Sequence, residues 1–232
     1  MVGSKIVIPD QASEPSAALG AADRRMYRSK NSKRTSASRQ ASNALLRVLI
    51  ERSPTLAEHG DSVSALAAQM AQLLRLPDDE AHQLAQAAEL HDIGKVAIPD
   101  AILNKRGALD DDEWAFIKQH TMIGERILAA APALAHIGTI VRSSHERWDG
   151  HGYPEGLAGD ETPLGARIIS VCDAYVAMTS DRPYRAAMSP EVAVATLAEN
   201  AGTQFDPGVV EALCGVLETG NVPRANPVLR AR

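Results

Sequence analysis

The stretch "AELHDIGKVAIP", residues 88–99, sets an imidazole beside a carboxylate where an apolar helix runs out, then adds a glycine and a lysine. The polar side of a surface helix ordinarily carries Lys, Glu or Gln, so His91 and Asp92 call for another explanation. Four further residues, His59, His120, His145 and Asp173, fall on other expected helices, several with apolar neighbours. An ionised Asp173, between Val171 and Tyr175, is costly to bury without a partner. Divalent cations shared by imidazoles and carboxylates would satisfy the whole set at once. Consecutive helical residues point about 100° apart, but at a frayed helix end His91 and Asp92 can both reach a metal. With its two oxygens, Asp92 could bridge two metals while His91 binds one. Two cations roughly 3.5–4 Å apart suit phosphoryl chemistry, because they activate water and neutralise phosphate oxygens. Lys95, a turn beyond Asp92, adds positive charge for that phosphate. Taken singly, each histidine is better read as an ordinary hydrogen-bonded residue; the ordered set is what points to metal. His82, His136 and His151 read as solvent-facing, Cys172 as a small core residue and Trp148 as loop packing.

Helices must position these residues. Alanine and leucine are abundant and β-branched runs are short, which points to an all-α fold. "ASNALLRVLIER" is the first helix and Pro54 breaks it. "TLAEHGDSVSALAAQMAQLLRL" follows, with Val63, Leu66, Met70, Leu73 and Leu74 at helical spacing. "PDDEAHQLAQAAELHDIG" opens on proline and acids and closes at Gly94. "DDDEWAFIKQHTMIGERILAAA" reads as one helix carrying His120, and "PALAHIGTIVRSSHE" as the next, ending on His145. A glycine-dense loop, "RWDGHGYPEGLAGDETP", precedes the buried helix "LGARIISVCDAYVAMTS", and two helices finish the chain after "DRPYR". Near the N-terminus, "SKIVIP" reads as a short strand and "SEPSAALGAADRRMYRSK" as an amphipathic helix. "SKNSKRTSASRQAS" then reads as a basic, Ser-rich linker.

The chain has 232 residues, 45% hydrophobic, an ordinary globular composition. No apolar run approaches the roughly 20 residues that span a bilayer, no signal peptide opens the sequence, and the two cysteines form no framework. Cytoplasm is the simplest compartment. A net charge of −5 with 3% aromatics argues against a polymeric nucleic-acid partner.

"HDIGK", "SHERWDGHGYPEGL", "PLGARIISVCDAYVAMTSDRPYR" and "GTQFDP" together resemble the HD-GYP domain, a subgroup of the HD metal-dependent phosphohydrolases that cleaves cyclic di-GMP. The likeness spans about residues 41–220, with the motifs in family order. It implies an HD-domain helical bundle over 41–222 with a Gly-rich GYP loop and a flexible tail at 223–232. It also implies metal ligands at His59, His91, Asp92, His120, His145 and Asp173. Asp92 and Lys95 would be catalytic, and Lys95, Tyr153, Arg182 and Arg185 would contact substrate. Two divalent metals are implied; mixed His/carboxylate ligation suits iron or manganese, with zinc and nickel also compatible. Gly152, Tyr153 and Pro154 are the GYP itself, a loop through which partner GGDEF-domain proteins would be met.

Two positions depart from the family. Ser144 stands where a second histidine usually precedes the "HE", so one metal site should be weaker or draw on water. Thr55 stands where members with a third metal carry a glutamate, which fits two metals. "GSKIVIPDQASEPSAALGAADRRMYRSKN" is similar to the last strand and helix of a GGDEF domain. That makes residues 1–40 a short α/β-type C-terminal remnant and linker without cyclase activity. The expected function is hydrolysis of cyclic di-GMP to pGpG, and onward to GMP. The alternative is a catalytically weak cyclic di-GMP sensor or partner-binding module, which Ser144 favours; a broader HD phosphohydrolase is a third reading. The helix "NALLRVLIER" could pair with its copy in a homodimer.

Overall fold

The structure, a computed structural model, describes residues 36–105, 107–181 and 186–219. The chain divides into two units, Met1–Gln40 and Ala41–Arg232. In the first, only residues 36–40 are described, and they are helical. The expected N-terminal strand and helix, the end of the chain, and the "RPYR" segment with Arg182 and Arg185 all lie outside the described residues.

The second unit is all-α, and no strand forms among its described residues. In α1, residues 41–52 run up to Ser53, and Pro54 opens α2 (Pro54–Leu73), where its missing N–H costs nothing. α3 (Asp78–Leu90) begins on three acids and ends one residue before His91. A 3₁₀ stretch, Ile93–Ala97, leads to the short α4 (Asp100–Leu103). α5 (Asp111–Lys118) is started by a capping box, in which the Asp110 carboxylate accepts from the Glu113 N–H and Glu113 accepts from the Asp110 N–H. α6 (His120–Ala129), α7 (Gly138–Arg142) and α8 (Leu164–Thr179) follow. α9 (Pro190–Glu199) and α10 (Pro207–Glu218) are each capped by a side chain, Ser189 and Asp206, ahead of a proline.

α2 packs most extensively on α3, and α8 lies against α2, α9 and α10. Val63, Leu66, Met70, Leu84, Leu90, Ile169 and Leu213 close the core between them. The helical spacing of Val63, Leu66 and Met70 in α2 therefore does mark its buried face, whereas Leu73 and Leu74 are partly exposed, at 45% and 36%.

Four boundaries differ from the sequence reading, the first being the end of α3, which falls at Leu90 and not at Gly94. Residues 36–42, assigned to a linker, are helical: Ala37, Arg39 and Gln40 favour helix, and Ser42 is buried where its hydroxyl accepts from Gln86 Nε2 at 3.1 Å. The long "DDDEWAFIKQHTMIGERILAAA" helix is two, broken at Gln119, whose N–H bonds back to the Phe116 carbonyl. His145 lies three residues past the end of α7, in a turn, rather than on the helix.

Candidate metal centre

The turn after α3 explains how His91 and Asp92 share a site. His91 is the C-cap residue of α3, and its Nδ1 lies 2.7 Å from the Ala88 carbonyl. A carbonyl cannot donate, so Nδ1 carries a proton and Nε2 is the ring nitrogen left to face the site. His120 repeats the device one break later, with Nδ1 2.7 Å from the Ile117 carbonyl. The break at Gln119 thus lets the ring of His120 bond back onto α5 while its Nε2 faces inward.

Asp92 stands between the two rings. Its Oδ2 is 3.7 Å from His91 Nε2 and its Oδ1 is 3.5 Å from His120 Nε2. Both separations are too long for hydrogen bonds and leave room for a cation. Lys95 Nζ donates to Oδ2 at 2.6 Å. Two groups of donor atoms result, each within a 4.8 Å span: His59, His91 and Asp173, and Asp92, His120 and His145. In the first group His59 Nε2 and Asp173 Oδ1 lie 2.7 Å apart. The rings of His59 and His91 meet edge-on at 5.7 Å, and those of His120 and His145 at 4.9 Å. His91 Nε2, Asp92 Oδ1, His120 Nε2 and His145 Nε2 are all buried without a hydrogen-bond partner. Four orphaned lone pairs converging on two points are costly unless something positive meets them. The donor set therefore fits two divalent cations with the Asp92 carboxylate facing both.

Electrostatics prepare the same atoms. Burial raises the Asp92 pKa, but Lys95, His91, His120 and His145 outweigh it and hold the carboxyl well below its ordinary range. Asp173 is likewise held low, chiefly by the His59 hydrogen bond acting against burial. Burial lowers His120 to about 4 and His145 to about 3, although Asp92 opposes the shift in both. Both rings are thus neutral near pH 7, as a ligand must be. As the pH falls from the ordinary histidine value, about 6.5, the unfolded chain takes up protons that the folded chain refuses. The metal-free protein is thereby destabilised, and the loss continues until the folded-state values are reached. Above pH 6.5 these two groups contribute nothing. Thermal melts of EDTA-treated protein should show a melting temperature that drops between pH 6.5 and 4. A flat profile there would contradict the assigned burial.

The GYP loop is positioned by a residue the sequence reading passed over. The buried carboxylate of Glu146 accepts from the backbone N–H groups of Glu155 at 2.7 Å, Gly156 at 3.1 Å and Leu157 at 3.1 Å. Its only sequence signal is an acid between His145 and a loop rich in glycine. Gly152 lies so close beneath that a Cβ there would sit 2.4 Å from the Arg147 nitrogen. Held this way, Tyr153 stacks on His145 with centroids 5.1 Å apart and planes 12° apart. Lys118 Nζ lies over the Tyr153 ring, 5.5 Å from its centroid. Exchanging Glu146 for Gln presents an NH₂ group to loop donors and leaves part of that cage unmet. We expect a melting temperature lower by about 3–8 °C, readable by circular dichroism.

The remaining residues singled out in the sequence divide as follows. Ser144 is buried, its hydroxyl donates to the Val141 carbonyl at 2.9 Å, and it joins neither group. His136 and His151 are exposed, but His82 is half-buried with its Nε2 shielded, so it is not the solvated residue expected. Trp148 is engaged by the Arg167 guanidinium at 5.6 Å, and Cys172 is fully buried with its thiol pushed up by burial.

The chain is similar to known proteins in sequence and in fold. The chain matches the family described as "HD domain" over residues 43–209. It is 41% identical over 155 residues to the "Cyclic di-GMP phosphodiesterase response regulator RpfG" of Xanthomonas campestris pv. campestris, covering 66% of this chain and 41% of that protein. It is 38% identical over 167 residues to the "3'3'-cGAMP-specific phosphodiesterase 3" of Vibrio cholerae, covering 72% of this chain and 36% of that protein. The chain thus spans well under half the length of either relative. Among solved structures, that of a cyclic GMP-AMP phosphodiesterase of V. cholerae superposes with a TM-score of 0.60 at 20% identity, over 82% of this chain and 49% of that one, a likeness of fold. With the family match extending over more than two thirds of its residues, the chain belongs to the HD-domain family.

Proposed function

We propose that this chain is a metal-dependent phosphodiesterase that hydrolyses cyclic di-GMP to linear pGpG, and pGpG onward to GMP. The observation that carries the reading is the pair of donor groups with the Asp92 carboxylate between their His91 and His120 rings, and four buried lone pairs left unpartnered. His59, His91 and Asp173 would hold one cation and Asp92, His120 and His145 the other. Two cations held there, iron or manganese by ligand type, would supply Lewis-acid charge and lower the pKa of a water. Lys95 positions Asp92 through its 2.6 Å bond and offers its charge to a phosphate oxygen. Tyr153, stacked on His145, walls the site on the loop side. Arg182 and Arg185 are assigned to the ligand's second phosphate on the strength of the motif alone. Hydrolysis opens one P–O bond of the ring, the water's hydroxyl ending on phosphorus and its proton on the leaving 3′ oxygen.

The curated relatives divide between cyclic di-GMP and 3'3'-cGAMP in their names, and of the two compared above the cyclic di-GMP relative is the more identical, at 41% against 38%. The second group has three protein donors, and Ser144, turned to the Val141 carbonyl, adds none. That observation favours a second reading, a weakly catalytic cyclic di-GMP sensor. Chromatography after incubation with manganese separates the two. The enzyme reading expects pGpG and an EDTA-sensitive rate, whereas the sensor reading expects tightly retained, intact nucleotide. We further assign residues 1–40 to the remnant of a GGDEF domain and 41–222 to the catalytic domain. GGDEF-domain partners at the GYP loop, a homodimer through α1 and a cytoplasmic location complete the proposal. No described helix is long and apolar enough to cross a membrane.

A further inference from the structure

We propose that one face of α5 seats a guanine base of the cyclic dinucleotide, with Trp114 as the stacking surface, Lys118 toward the phosphate and Asp111 on the base edge. The inference rests on the phosphodiesterase reading above and adds a subsite to it. Asp111, Trp114 and Lys118 recur at i, i+3 and i+7, so they share one face of α5. With Ala115 they line a shallow depression that is largely open to solvent. Trp114 is 47% exposed, in a chain with two tryptophans. The other, Trp148, is already covered by Arg167. An indole left in solvent beside a depression is a ready platform for a base.

The depression adjoins the metal centre. Lys118 lines it and also lies over Tyr153, which stacks on His145. Trp114 is one helical turn farther along α5, about 5.4 Å. A phosphodiester held at Asp92 and Lys95 carries a nucleoside on each side. One of the two bases can therefore leave the centre past Tyr153 and Lys118 and lie on Trp114. The chemistry also selects the base. Guanine presents two adjacent donors, N1–H and the exocyclic amine, which a carboxylate accepts together, whereas adenine presents an acceptor at N1 that a carboxylate repels. Asp111 supplies that carboxylate on the same face.

The test uses the full metal-loaded chain with three probes: cyclic di-GMP, cyclic di-AMP and bis(p-nitrophenyl) phosphate, a phosphodiester without a base. Trp114→Ala should raise KM for cyclic di-GMP by ~10-fold, Trp114→Phe should stay near wild type, and neither should change turnover of the aryl ester. Asp111→Ala should narrow the preference for cyclic di-GMP over cyclic di-AMP. In a Trp148→Phe protein, whose remaining indole is Trp114, cyclic di-GMP should quench the fluorescence. An unchanged KM in Trp114→Ala, an equal loss on the aryl ester, or no quenching would overturn the subsite. Quenching and tight binding without hydrolysis by wild type would overturn the phosphodiesterase reading while leaving the subsite standing.

Discussion

Replacing Asp92 with alanine should abolish cyclic di-GMP hydrolysis, with a fall in kcat of ~10³-fold or more, equivalent to about 4 kcal/mol of transition-state stabilisation. The size follows from its position. Its two oxygens face different donor groups, Oδ2 toward His91 and Oδ1 toward His120, so a single substitution strips both proposed cation sites of a charge. Lys95 simultaneously loses its 2.6 Å partner and the constraint on its direction. Elemental analysis of the variant should show the second site empty and the first depleted, with the helical circular dichroism signal kept. Asp92→Asn, which preserves shape and removes charge, should lose activity to a similar degree. An Asp92→Ala protein retaining a tenth of wild-type turnover would show that the carboxylate is not shared.

The second large effect comes from Gly94. A Cβ at this residue would lie 1.8 Å from the His120 carbonyl oxygen and 2.7 Å from the Gly124 nitrogen. Both are backbone atoms, so no side chain can swing aside. The 3₁₀ turn carrying Gly94 packs directly on α6, and that approach is what brings Asp92 to His120. Gly94→Ala should cost about 3 kcal/mol or more by overpacking, lowering the melting temperature by ~6–12 °C. The refolded protein should also bind less metal, because α6 must retreat. A calorimetric shift under 2 °C, with metal content intact, would contradict this packing.

Gly94 also marks how far the sequence could be read. Its position after an apolar helix marked it as that helix's end, whereas α3 stops four residues earlier, at Leu90, and Gly94 lies inside the 3₁₀ turn that follows. That a second helix would press against it was invisible, because close approach depends on tertiary placement. The six candidate ligands were legible for a different reason. Carboxylates and imidazoles at apolar positions are expensive, and one explanation served them all. The structure brings every one of them into one of two adjacent groups.

The all-α class was likewise legible from propensity, and the α2 stripe of Val63, Leu66 and Met70 is buried as its period required. Local signals failed where they competed with tertiary contacts. The serine-rich run before Ser42 looked like a tether, yet Ser42 is buried against Gln86. The break at Gln119 had no proline or glycine to announce it, and its purpose, aiming His120 Nε2 while Nδ1 bonds to Ile117, appears only with the ring in place. Glu146 was overlooked because its partners are backbone N–H groups nine to eleven residues away, which no residue pattern encodes.

Elemental analysis of the wild-type chain, purified without added metal and again after exposure to ferrous iron or manganese, bears most directly on the shared-carboxylate cage. Two transition-metal atoms per folded chain, released together by chelator and accompanied by loss of cyclic di-GMP hydrolysis, are the result expected. A folded chain that binds no metal under either condition, or that hydrolyses cyclic di-GMP equally well after complete chelation, would contradict it.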